Sequence, residues 1–126
     1  MYSMTYTMSF IFYNFSQTKM SATLKCERNF LKFLAEDCIS KAQGFAIFST
    51  LSDLQVKAIT EIFHNLLFGE LHLKDNVKSK IRDNKKLYEK IAKQSSFIYK
   101  KKLLKENYLE VLDILFLIKT ILKKVW

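Results

Sequence analysis

Apolar residues return at spacings of three and four through most of the chain after position 25, the period of a helix that lays one face against a core. From about Lys25 to Ala42 the stripe is Phe30, Leu31, Leu34, Cys38, Ile39 and Ala42, with Gly44 as the expected stop. The segment Thr50 to Gly69 carries the cleanest pattern, with Val56, Ile59, Ile62, Phe63, Leu66 and Leu67 on one broad face. Ser52 and Gln55 stand ahead of that face at the spacing of a capping box, and Gly69 closes it. A third helix is expected over about 76–93, capped by Asp75. Its stripe of Val77, Ile81, Tyr88 and Ile91 is thin, flanked by Leu87 and Ala92, and the rest of its circumference is polar and mostly basic, as on a surface helix.

A last helix opens after Ser95 or Ser96 and runs from Phe97 toward Lys123. Phe97, Leu104, Tyr108, Val111, Leu115, Ile118 and Leu122 follow a 4-3 repeat that only Lys101 interrupts. Beyond Tyr108 further faces turn apolar, but Glu106, Glu110, Asp113 and Lys119 break the run well below the roughly 18–20 residues a transmembrane helix needs. The stripe reads as core, as an oligomer seam or as a membrane-surface face, with core or seam favoured. The expectation is an all-α protein, a small bundle of about four helices at roughly 25–42, 53–68, 76–93 and 97–123. Composition agrees, since no Pro and two Gly leave few of the turns that a strand-rich fold needs.

The helical pattern leaves out the beginning of the chain. Residues 1–18 carry no charged side chain, and the alternation of Tyr2, Met4, Tyr6, Met8, Phe10 and Phe12 could mimic a strand. A secretory signal would need a basic start and a longer apolar core. All four methionines fall within the first twenty positions, so the expected organisation is a leader over 1–24, a gene-model extension or disordered tail with translation starting at Met20 rather than Met1, followed by one domain over 25–126. Cys26 and Cys38 are too few for a disulfide scaffold and, on one helix, would lie about 18 Å apart, beyond disulfide reach. Reduced thiols and an intracellular, non-secreted location follow.

Charge singles out one stretch. From Lys74 to Lys105 there are twelve basic residues against Asp75, Asp83 and Glu89, a net of +9 that equals the net charge of the whole chain. Such a balance points to nucleic acid, an anionic membrane surface or an acidic protein, with a merely solvated lysine-rich face as the alternative. Lys78, Lys80, Arg82, Lys85, Lys86, Lys90, Lys93, Lys100, Lys101 and Lys102 are the candidate phosphate contacts. Arginine is nearly absent, only Arg28 and Arg82, which argues for backbone grip over bidentate guanine readout. Tyr88, Phe97 and Tyr99 lie among the lysines and could stack on single-stranded bases, although the register of Tyr88 and Phe97 favours core positions for both. Lys85-Lys86 and Lys100 to Lys102 are also spaced loosely like a bipartite nuclear import signal.

Catalytic chemistry finds no foothold. Glu61 and His64 form one E-x-x-H where a di-metal bundle needs two plus further carboxylates, and His72 and the cysteines show no ligand spacing. No phosphate loop or nucleophile elbow exists. The expectation is a non-enzyme with no metal and no cofactor.

The run from Thr50 to Leu104, about 55 of 126 residues, resembles a family of small basic proteins with many uncharacterised copies in invertebrate genomes, linked to Polinton/Maverick elements and adintovirus-like DNA viruses. Glu61, Asn65, Leu67, Gly69, Leu71 and Leu73 carry the match as E-x-x-x-N-x-L-x-G-x-L-x-L, continuing into Lys78, Ile81, Lys85-Lys86, Tyr88, Ile91-Ala92 and Lys100 to Leu104. The chain departs where the family has a Pro after the link (His72), a helix-starting Pro (Asp75) and a Gly-Gly-Phe element (Glu106-Asn107-Tyr108). Without Gly-Gly the last helix is expected to run unbroken. The resemblance implies a virion-core or DNA-associated role. The expected function is non-specific binding or condensation of nucleic acid, DNA first, by a protein of viral or transposon origin in the nucleus or virion. The alternative is membrane or capsid association through the apolar last helix, and self-association through that helix is a further expectation.

Overall fold

The computed structural model describes residues 21–36, 39–69 and 73–120. Among the described residues eight helices form in chain order: α1 (Ala22–Cys26), α2 (Arg28–Leu34), α3 (Lys41–Ser49), α4 (Asp53–Phe68), α5 (Asp75–Asp83), α6 (Lys85–Lys93), α7 (Phe97–Glu106) and α8 (Tyr108–Leu117). Among the described residues there is no strand, and the protein is all-α. No described helix is long and apolar enough to cross a membrane. Residues 1–20 of the expected leader, with the choice between Met1 and Met20, and Cys38, His72 and Leu122 lie outside the described residues. Residues 21–24, also assigned to the leader, belong instead to the domain: they open α1, and Leu24 is buried in the core.

The organising element is α4. Val56, Ala58, Ile59, Ile62, Phe63 and Leu66 are buried along it, and it packs against α1, α6 and α7. The capping box expected from the sequence is formed: Ser52 Oγ accepts from Gln55 N at 3.1 Å, and Ser52 N donates to Gln55 Oε1 at 2.9 Å. Two otherwise orphaned donors of the helix start are thereby satisfied, an arrangement worth about 1 kcal/mol. Phe63 meets the Tyr88 ring of α6 at 4.9 Å between centroids, a tilted pair at the centre of the core. Helices α7 and α8 close the other side, where α3 packs against both and α2 and α5 rest on α8.

The expected first helix does not run from 25 to 42. It is two short pieces, α1 and α2, and a separate α3 follows, begun by a second capping box that the sequence also spells: Ser40 Oγ accepts from Gln43 N at 3.1 Å and Ser40 N donates to Gln43 Oε1 at 2.9 Å. Gly44 is no stop. It lies inside α3 and is buried, because a Cβ there would meet Leu112 Cδ1 at 2.9 Å and the Tyr108 ring at 3.1 Å. The missing side chain lets α3 approach α8 closely. Asp75 is likewise not a cap but a first-turn residue, with Lys74 at the cap position and no side-chain cap bond.

Both long C-terminal helices bend at an asparagine. Asn84 (φ −117°, ψ 22°) separates α5 from α6, and Asn107 (φ −121°, ψ 28°) separates α7 from α8. Each side-chain amide donates to the carbonyl four residues back, Asn84 Nδ2 to Lys80 O at 3.0 Å and Asn107 Nδ2 to Leu103 O at 2.9 Å, offering that carbonyl a second partner where the helix distorts. The last helix is therefore not unbroken: it bends within the Glu106-Asn107-Tyr108 segment, where Gly-Gly-Phe was expected. Its apolar stripe is core, with Leu104, Val111, Ile114, Leu115 and Ile118 fully buried.

Candidate nucleic-acid interface

Helices α5 and α6 are held to the body by few apolar side chains, chiefly Val77, Tyr88, Ile91 and Ala92. Their remaining surface is free for charge. Lys78, Arg82, Lys85, Lys86, Lys90 and Lys93 are all exposed. Spacings of three and four, with Lys85 and Lys86 adjacent, put them along one broad stripe that crosses the bend at Asn84. From Lys78 to Lys93 the stripe is about 22 Å long by helical rise.

Two shallow concavities lie along it. One, of about 360 Å³, is lined by Leu66, Leu67, Leu73 and Ile81 and by the cations Lys78, Arg82 and Lys85. The other, of about 400 Å³, lies among Lys86, Glu89, Lys90, Lys93 and Gln94. Glu89 is the one acid there, and its contact with Lys93 is long, 3.9 Å.

Two of the ten candidate contacts are not presented to solvent as expected. Lys80 points the other way, toward α8, where its ammonium lies 2.5 Å from Asp113 Oδ2 and 3.3 Å from Glu110 Oε2 with its side chain 25% exposed. The Asp113 hydrogen bond leads in raising its pKa. Lys80 is a cross-helix tie whose charge is already neutralised. Lys100 is 8% exposed, and its burial lowers its pKa. It takes an inward position in α7 beside Leu103 and Leu104, which the heptad register had assigned to neighbouring Lys101. Lys101 is half-buried and reaches Asp53 at 2.8 Å, a partly solvated pair of the kind worth at most about 1 kcal/mol. Lys102 is exposed.

The aromatic residues divide differently from their register. Tyr88 is fully buried, its hydroxyl has no hydrogen-bond partner, and burial first, then the carboxylates of Glu110 and Asp113, drives its pKa upward. It cannot stack on a base. Phe97, by contrast, is 41% exposed, as is Tyr99, and Ile98 between them is 85% exposed. Phe68, at the end of α4, was not singled out by the sequence pattern. It lies 5.4 Å from Lys93 Nζ at its ring centroid and 5.9 Å from the His64 ring. A partly exposed aromatic at a helix end carries no periodic signal that would mark it.

The E-x-x-H pair of α4 is divided between different neighbours. Glu61 accepts from Ser21 Oγ at 2.5 Å, which ties α1 to α4, and burial raises its pKa against the opposing effects of that bond and of Lys57. His64 instead neighbours the Phe68 ring, its pKa lowered by burial first and by the positive field of Lys100 and Lys93, against a backbone hydrogen bond with Ala92 that raises it. Among the described residues no group of His, Cys, Asp and Glu could hold a metal ion. Cys26 is exposed and free. No protein-family model, no curated protein and no solved structure matches the chain.

Proposed function

We propose that the protein binds nucleic acid, DNA first, through its phosphates and without reading sequence, as a packaging or condensing component. The supporting observation is the stripe of six exposed cations along α5 and α6, Lys78 to Lys93, set on a thin apolar base. Five of the six are lysines, point charges suited to phosphate oxygens more than to base edges. Their span of about 22 Å matches six or seven phosphates of one strand at 3.4 Å spacing. A nuclear or virion setting and a viral or transposon origin belong to the same proposal and rest on the sequence resemblance alone.

A gel-shift titration against salt tests it. Six contacts predict a slope of about −5 in log K against log salt on duplex DNA. The double reversal Lys85→Glu with Lys86→Glu should reduce the slope to about −3.5 and weaken binding to all sequences alike. Unchanged affinity in that variant would refute the proposal. Attachment to an anionic membrane or capsid through the last helix is the second reading, but the apolar stripe it would use is committed to the core. Co-sedimentation of the whole chain with anionic vesicles, in the absence of any DNA shift, would favour that reading.

A further inference from the structure

At the junction of α4, α6 and α7 three basic groups gather, His64, Lys93 and Lys100, and the one acid beside them is Glu89, 3.9 Å from Lys93. His64 feels the charge of both Lys100 and Lys93. Lys93 Nζ sits over the Phe68 ring at 5.4 Å, and Lys100 Nζ lies 5.8 Å from the centroid of Phe97. Among the described residues no acceptor or carboxylate pairs with Lys100 Nζ; the Phe97 ring is its neighbour. Burying a charge without an anion is costly. His64 Nδ1 is buried there without a hydrogen-bond partner. The Lys100 side chain is held by packing in α7, with 8% of the residue exposed, so a ligand finds the cation already ordered.

We propose that His64, Lys93 and Lys100 seat one phosphate of a single-stranded nucleic acid, with the adjoining bases stacked on Phe68 and Phe97. The proposal deepens the nucleic-acid reading and rests on it. A duplex phosphate can meet the α5–α6 stripe from outside, but its bases are already stacked on one another and cannot reach the rings. A single strand offers both groups at once. Phosphate supplies the anion that the Lys100 ammonium lacks, beside the Lys93 ammonium and a His64 imidazole that burial keeps neutral, and a base completes the half-open faces of two aromatic rings. The stripe ends at Lys93, which belongs to both sites, so a strand lying along α5 and α6 would run directly into the seat.

The test compares a fluorescein-labelled oligothymidylate of about ten nucleotides with a duplex of equal length, by anisotropy, using the full chain. Wild type should bind the single strand more tightly. Lys100→Met, which keeps the buried stem, and Phe97→Ala should each weaken single-strand binding about tenfold, a typical loss for one stacked base, and leave duplex binding unchanged. Photocrosslinking of wild type with 5-iodouracil oligonucleotides, read by mass spectrometry, needs no variant and should mark Phe68 or Phe97. Equal affinity for the two forms, or crosslinks confined to residues outside the seat, would overturn the proposal while the salt-dependent duplex shift left the broader reading standing. Loss of both kinds of binding in wild type would remove both.

Discussion

Asn65 lies in the middle of the apolar face of α4, fully buried, with neither its side-chain oxygen nor its nitrogen hydrogen-bonded. Replacing it by leucine should stabilise the protein. An unsatisfied buried amide costs about 1–3 kcal/mol, and leucine removes that cost while keeping a side chain branched at the same atom. Leucine is also the better helix former, by about 0.5 kcal/mol. Against this stands overpacking, since its methyl groups need more room than an amide, at about 1–3 kcal/mol in a tight core. The balance is a gain of about 1 kcal/mol for Asn65→Leu. For a chain of this size that corresponds to a rise in Tm of about 3–5 °C.

Urea denaturation followed by circular dichroism measures it, with an unchanged m-value showing that the compactness of the two states is unaltered. Asn65→Ala serves as the control, because it removes the amide but leaves a void. If the amide is an uncompensated burden, alanine should cost no more than about 1 kcal/mol, well below a typical large-to-small core substitution. Destabilisation by both variants of 2 kcal/mol or more would mean that the amide is satisfied in solution by bound water, and the reasoning would fail.

Two further predictions follow from the packing and the titrating groups. Gly44→Val should destabilise by at least about 2 kcal/mol, since branched methyls must enter a gap that a single Cβ already overfills against Leu112 and Tyr108, and a lowered urea midpoint would show it. Glu61→Gln should stabilise at pH 7: the folded-state pKa is raised above the ordinary 4.5, so the folded carboxyl holds its proton more tightly and loses stability as pH rises through that raised value. Thermal melts should show the variant ahead at pH 7 and level with wild type below pH 4; a gain that persisted in acid would contradict the titration argument.

How much of this could be read from the chain depends on which force placed each residue. The capping box at Ser52 was legible because it is local, two side chains closing on backbone groups three residues away. The same motif at Ser40 was equally spelled, but the apolar stripe ending at Ala42 ran across it and Gly44 supplied a false stop. A glycine inside a helix costs about 1 kcal/mol relative to alanine, and here a helix crossing that admits no side chain outweighs that cost. The bends at Asn84 and Asn107 had no signal in hydrophobic period, because the stripe continues through both and only the side-chain amides mark them. Phe97 fitted the heptad register and still faces water, since nothing in a periodic pattern says where the neighbouring helix ends.

The candidate interface shows the same division between what charge counting yields and what packing decides. Ten basic residues were equivalent in the sequence, and a simple count would give a salt slope of about −9 on duplex DNA. Lys80 is neutralised by Glu110 and Asp113, Lys100 is drawn inward, Lys101 is paired with Asp53, and Lys102 sits on another helix away from the stripe. Six cations on one line give about −5. The difference is large enough for a titration over a fourfold range of salt to resolve. A slope near −9 would mean that α7 joins the grip and that Lys80 abandons its carboxylates, which would require α5 to lift from α8. A slope near −5 leaves the ion pairs of Lys80 intact and makes the basic segment two devices, a backbone rail along α5 and α6 and a separate, more selective seat where α7 begins.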